Sequence, residues 1–213
     1  MRYRGIIFDL DGVICSTDEY HYLAWKSLAE SLGISDFTLE DNAKQRGVSR
    51  MESLEIVLAK SGRCFSESEK AMLADQKNAI YRKMLASMSP ADLDPDVRDT
   101  LVALRAQGVR IAIGSSSKNA SLILQKLGLE DSFDSVVSGN DILHSKPDPE
   151  VFLLAAHRLH LGPRECLVVE DAESGIRAGK AGGFDVAAIG EGAKCCNADF
   201  VISNLSDLLC RIQ

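Results

Sequence analysis

The chain has 213 residues, 46% hydrophobic and 26% charged, with a formal net charge of −7. That is an ordinary globular composition, enough for one large domain or a medium one carrying an insertion. No dense Lys/Arg run occurs, and no apolar stretch approaches the ~20 residues of a membrane span, so neither nucleic acid nor a membrane is expected as a partner.

Gly5-Ile6-Ile7-Phe8 reads as a strand, and Asp9-Leu10-Asp11-Gly12 as its end and turn. Side chains alternate along an extended chain, so Asp9 and Asp11 fall on one side. Two such carboxylates repel each other and favour their protonated forms. A hard divalent cation such as Mg²⁺ takes oxygen ligands and removes that conflict. A chain that enters a strand at once leaves no room for a signal peptide, and a cytoplasmic protein is expected. The six cysteines lack metal-finger spacing and would stay reduced in a cytosol. Adjacent Cys195-Cys196 suit neither a disulfide framework nor a zinc site.

Residues 16–88 read as all helix. His21, Trp25, Leu28, Ala29 and Leu32 share one face. Ser49-x-x-Glu52 and Ser66-x-x-Glu69 are capping boxes, followed by Met51, Leu54 and Leu58 and by Leu73, Ile80 and Met84. From Asp94 onward strands and helices alternate. Asp94-Pro95 opens a helix with Val97, Leu101 and Leu104 on one face, stopped at Gly108. Val109–Gly114 is a buried strand, a helix lies around Leu122–Leu127, and a weaker strand covers Ser135–Ser138. Asp148-Pro149 opens a helix with Val151, Leu154, Ala155 and Leu159 inward, ending at Gly162. Cys166–Val169 is a strand leading into Glu170-Asp171, and a helix with four glycines follows. Strands near Asp185–Ile189 and Ala198–Ile202 and a short helix complete the pattern. The expected fold is α/β: a Rossmann-like parallel-sheet core, residues 1–15 and 89–213, with an inserted all-helical cap domain, residues 16–88. Ligands bind such sheets at the carboxyl ends of the strands.

The chemistry-bearing residues follow strands. Asp9 and Asp11 follow the first, Ser115-Ser116-Ser117-Lys118-Asn119 the second and Glu170-Asp171 the fourth, with Lys146 in the intervening Ser145-Lys146-Pro147 loop. Carboxylates of the first and fourth strands suit one Mg²⁺. Hydroxyls, turn amides and a helix N-terminus at the second suit phosphate oxygens, and Lys146 adds a fixed positive charge. Singly, each has a bland alternative: a turn, a solvated lysine, a helix cap.

In this order the residues resemble the four motifs of the haloacid dehalogenase superfamily, over nearly the whole chain. Within it, Phe8–Ile14, Glu19-Tyr20-His21, Ala24-Trp25-Lys26, Gly47-Val48-Ser49-Arg50, Ser89–Asp92, Ser117-Lys118-Asn119, Ser145-Lys146-Pro147 and Glu170–Ile176 resemble the β-phosphoglucomutase group. The resemblance implies Asp9 as nucleophile, forming an aspartyl-phosphate, and Asp11 as general acid–base. It implies Mg²⁺ held by the Asp9 carboxylate, the main-chain carbonyl of Asp11 and Asp171, with Glu170 direct or through water, and conversion of β-glucose 1-phosphate to glucose 6-phosphate through a 1,6-bisphosphate. A bisphosphate needs a second phosphate subsite. On spacing alone Arg50 reads as a surface arginine. In the family context it faces the distal phosphate beside the N-cap Ser49, with Ser117, Lys118 and Asn119 on the core side. Lys77, inside an apolar stripe, is expected to turn inward. His21 and Thr17 are expected to set cap position or tune Asp11. Trp25, Gly47, Val48, Ser53, Ser115 and Ser116 complete the expected substrate and phosphate set. Where the family carries an acidic residue, the first cap linker has Ser16. His157 and His160 are three apart without a third ligand and read as exposed helix, and His144 reads as loop. The expectation is a monomeric enzyme acting on a phosphorylated sugar. A sugar-phosphate phosphatase and a non-catalytic phosphosugar-binding module are the alternatives.

Overall fold

The structure, a computed structural model, describes residues 2–45, 48–194 and 197–211. Gly47, Cys195 and Cys196, singled out above, lie outside the described residues. Six parallel strands form one sheet in the order β3-β2-β1-β4-β5-β6. They are β1 (Gly5–Phe8), β2 (Arg110–Gly114), β3 (Ser135–Val137), β4 (Cys166–Glu170), β5 (Asp185–Ala188) and β6 (Phe200–Val201). The strands at the middle, β1 and β4, are buried at every residue, which their unbroken apolar runs permit only between two covered faces. Alternation sorts β1: Ile6 and Phe8 join one core cluster, Ile7 the other.

The first face is covered by α5 (Pro95–Ala106), α6 (Ala120–Leu127) and α9 (Leu208–Arg211), through Val97, Leu101, Leu104, Ile123, Leu127 and Leu208. The second is covered by α7 (Glu150–Arg158) and α8 (Glu173–Ala181), through Val151, Phe152, Ala155, Ile176 and Ala178. The chain runs outward from β1 to β2 and β3, then returns to place β4 on the other side of β1. The reversal opens a crevice at the carboxyl ends of β1, β2 and β4, the ends that carry Asp9, Ser115 and Glu170.

Between β1 and β2 the chain forms α1 (Asp18–Ser31), α2 (Leu39–Ala43), α3 (Arg50–Leu58) and α4 (Glu67–Leu85). Trp25, Leu28, Ala29, Phe37, Leu54, Val57 and Ala74 pack into a core of their own. Both expected capping boxes form: Glu52 Oε2 accepts from Ser49 N at 2.7 Å and Glu69 Oε2 from Ser66 N at 2.8 Å.

Three expectations need correction. The buried line of α4 is Ala74, Lys77, Tyr81 and Leu85, and Leu73, Ile80 and Met84 are its half-buried flank. Met51 points out of α3, 39% exposed. Helix α7 stops at Arg158, not Gly162, because His160 adopts φ 54° and turns the chain; Phe152 and Ala156 are buried in it where Leu154 is only partly so. His157 and His160 are exposed and do not share a helix.

Candidate active site

Asp9 follows β1, and its main chain continues the ladder, donating to the carbonyl of Val169 at 2.9 Å. The loop after β3 brings Lys146 across to it, 2% exposed. Lys146 Nζ donates to Asp9 Oδ1 and, at 2.6 Å, to Glu170 Oε1. Burial opposes the charge on Lys146, yet the two carboxylates hold it above its ordinary value.

Oxygen atoms of Asp9, Glu170 and Asp171 all lie within 4.8 Å of one another, the one such group of potential metal ligands among the described residues. Asp171 is pushed up to about 8, by burial first and then by the charges of Glu170 and Asp9. Glu170 is also raised, by burial, against the pull of Lys146. Three crowded carboxylates facing one lysine fit a hard divalent cation, which wants oxygen donors and removes their repulsion. Their spacing is set by glycines. A Cβ on Gly12, at φ +90°, would sit 2.1 Å from Asp171 Oδ2, and one on Gly175 would sit 1.7 Å from Glu170 Oε1. The side chain of Asp11 stands outside this group. It accepts a hydrogen bond from Thr17 Oγ1, which in turn accepts from Tyr81 at 3.1 Å. Burial, then the nearby Asp9 charge, lifts Asp11 to about 7, so it gains and loses its proton near neutrality.

The serine loop follows β2. Ser115 Oγ accepts from Ser117 N at 3.1 Å, and Ser117 Oγ from Asn119 N at 3.2 Å, winding the chain into the first turn of α6. Asn119 Nδ2 then crosses to Asn78 Oδ1 of α4 at 2.9 Å.

From the helical layer come His21, Trp25, Val48, Ser49, Arg50, Ser53 and Lys77. Lys77 Nζ and His21 Nδ1 share a hydrogen bond of 2.7 Å, and Nζ lies over the rings of Trp25 and Tyr81, 4.6 and 4.7 Å from their centroids. Burial first, then the charge of Arg50, lowers Lys77 to about 7. Burial, then Lys77 and Arg50, holds His21 well below the usual histidine range, so its imidazole is neutral.

Core and helical layer enclose one cavity of about 160 Å³, lined by Asp9, Asp11, Ser115, Ser116, Ser117, Lys118, Asn119, Lys146, Glu170 and Asp171 together with the seven residues above. Of the expected site residues within the described chain, only Thr17 does not line it, reaching it through Asp11. Sequence reasoning missed Tyr81, Asn78 and Gln45, which also line it. Tyr81 was open to it, lying one turn after Lys77 on the same face of α4.

Residues 3–183 match the haloacid dehalogenase-like hydrolase family. The chain is 40% identical to a β-phosphoglucomutase of Bacillus subtilis strain 168, over 96% of this chain and 91% of that protein. It is 33% identical to a fructose-1-phosphate phosphatase of Escherichia coli strain K12, over 86% of this chain and 95% of the other. The crystal structure of a β-phosphoglucomutase from Clostridium difficile superimposes with a TM-score of 0.90 at 35% identity, covering 97% of this chain and 93% of that one.

Proposed function

The chain belongs to the haloacid dehalogenase-like hydrolase family, and on that footing we propose that it is a magnesium-dependent phosphosugar mutase converting β-glucose 1-phosphate to glucose 6-phosphate. The observation that carries the mutase reading is the division of charge inside one cavity. Lys146 is neutralised by Asp9 and Glu170, whereas Arg50, Lys77 and Lys118 form no ion pair among the described residues. Lys77 is buried and Arg50 half-buried without a carboxylate, and Lys118, exposed, lines the same cavity; such cations suit a second anion, and a bisphosphate intermediate has one.

In this reading phosphorylated Asp9 gives its phosphoryl group to the sugar's free primary hydroxyl, as Asp11 removes that hydroxyl's proton. The bisphosphate turns over. Asp9 then attacks the other phosphorus, the phosphorus–oxygen bond to the sugar breaks, and Asp11 returns the proton to the leaving oxygen. Glucose 6-phosphate departs and the aspartyl-phosphate is restored. Thr17 and Tyr81 hold Asp11 in place. Mg²⁺, held by the Asp9, Glu170 and Asp171 side chains with the Asp11 carbonyl implied by the resemblance, supplies positive charge for the oxygens of the transferring group. Arg50, Lys118, Ser117 and Asn119 hold the distal phosphate, and Ser115, Ser116 and Lys146 the transferring one. Residues 16–88 act as a cap domain that closes on the core and keeps water from the aspartyl-phosphate. The protein works as a cytoplasmic monomer on a diffusing phosphosugar. Its net charge of −7 supports a small-molecule partner over nucleic acid.

A second reading, hydrolysis of sugar phosphates, draws on the phosphatase among the relatives and uses the same Asp9 with water as acceptor. One assay separates the two: β-glucose 1-phosphate, Mg²⁺ and a trace of the 1,6-bisphosphate, with glucose 6-phosphate and free phosphate measured together. Glucose 6-phosphate in large excess supports the mutase. Free phosphate alone supports the phosphatase. Persistent phosphoryl labelling of an Asp9→Asn variant would overturn both.

A further inference from the structure

Among the described residues three buried side-chain atoms have no hydrogen-bond partner: Ser174 Oγ, Ser116 Oγ and Gln45 Oε1. Hydroxyls rotate to find partners, but the Gln45 amide is fixed. Its Nε2 donates to the main-chain carbonyl of Ser53 at 2.9 Å. A carbonyl only accepts, so nitrogen must face it and the amide cannot be flipped. The oxygen is therefore the end left over. Gln45 is 8% exposed, lies two residues past the end of α2 and lines the cavity together with Asn42, Val48 and Ser53.

A buried acceptor without a donor is destabilising, and such atoms persist where a bound partner satisfies them. The partner here must donate. A phosphate dianion has no hydrogen to give, and Arg50, Lys77 and Lys118 already suit it. An aliphatic group has none either. The remaining part of a phosphosugar is its ring, whose hydroxyls donate.

We propose that Gln45 Oε1 accepts a hydrogen bond from a ring hydroxyl of the substrate. Gln45 is then a specificity-determining residue, selecting phosphorylated sugars that carry this hydroxyl over deoxy sugars and over phosphate esters without a carbohydrate ring. The inference rests on the phosphosugar reading and deepens it.

The test is kcat/KM for β-glucose 1-phosphate and the series of its monodeoxy analogues, each lacking one ring hydroxyl, in the wild-type protein and in Gln45→Met. Methionine keeps the length and gives up the acceptor. The wild type should disfavour one analogue by about 10–100-fold. In Gln45→Met, parent and analogue should differ by less than about threefold, because the hydroxyl has nothing left to bond. Undiminished discrimination by a folded Gln45→Met would overturn the proposal. So would a wild-type protein indifferent to the whole series, a result that needs no variant. If the wild type turns over neither the parent sugar nor any analogue, the phosphosugar reading fails and this inference with it. If all are turned over alike, only the role of Gln45 fails.

Discussion

Lys77 brings its ammonium into the cavity with 2% of the residue exposed, bonded to neutral His21 and bracketed by the rings of Trp25 and Tyr81. Its folded pKa of about 7 lies below the ordinary 10.5, so between those values the unfolded chain binds more protons than the folded one. Stability therefore rises with pH across that window, and the full cost of burying the charge is felt below it. Each tenfold loss of proton affinity on folding corresponds to about 1.4 kcal/mol. Lys77→Met should therefore stabilise the ligand-free protein at pH ~6 by ~2–4 kcal/mol, once the lost ring contacts are subtracted. The gain should vanish towards pH ~10, as read by urea unfolding at a series of pH values. On the proposed mutase reading, in which the distal phosphate keeps this lysine charged, the same variant should lose ~10–100-fold in kcat/KM for the phosphosugar. Thr17 is a second case. Thr17→Val removes the donor to Asp11 and strands the Tyr81 hydroxyl, so kcat should fall ~10–100-fold with KM little changed, and Thr17→Ser should restore it.

At the scale of elements, the carboxylate cluster is shaped by turns and helix starts as much as by its own residues. Gly12 holds φ +90° in the turn after β1 and leaves room for Asp171 that a methyl group would fill. Gly12→Ala should raise the Mg²⁺ concentration needed for half-maximal thermal stabilisation by ~10–100-fold, a readout that does not depend on turnover. This turn was legible in the sequence, because strand, carboxylates and glycine are contiguous. So were β1, β2, β4 and α5, whose apolar runs and end signals agree, whereas α8 was placed only as a helix with four glycines, two of which lie past its end at Ala181. Helix α4 was legible as a helix but not in its facing. Its buried line runs through Ala74, Lys77, Tyr81 and Leu85; Lys77 was placed inward, but the large apolar side chains of Leu73, Ile80 and Met84 on the adjoining flank drew the stripe aside. Helix α2 has only five residues and escaped notice, although Thr38 and Asp41 form a capping box there. The end of α7 was misplaced because a histidine, not a glycine, takes the left-handed position. Gln45 carried no signal at all: its unpaired oxygen exists only because the Ser53 carbonyl, eight residues on, takes its nitrogen.

For the whole molecule the question is what separates isomerisation from hydrolysis when the chemistry at Asp9 is shared. On the proposed mechanism the acceptor is decided by whether water reaches the aspartyl-phosphate before the sugar does, and therefore by how firmly the helical layer sits on the sheet's carboxyl edge. Apolar packing joins the two: Tyr81, Leu85 and Met88 belong to the same cluster as Phe8, Leu10 and Ile113. Such contact is non-directional and tolerates sliding. The bond from Asn119 Nδ2 to Asn78 Oδ1 at 2.9 Å is directional, and it links α4 to the serine loop proposed above to hold phosphate. A bond of this type is worth about 1 kcal/mol, or roughly a fivefold change in the balance of closed and open forms. Asn78→Ala should therefore leave the unfolding free energy within ~1 kcal/mol of wild type. It should raise the ratio of free phosphate to glucose 6-phosphate by ~3–10-fold, measured in the same reaction under saturating bisphosphate. Asn78→Asp keeps an acceptor for Asn119 and should lie closer to wild type. An unchanged product ratio in Asn78→Ala would mean that apolar packing alone holds the layer closed.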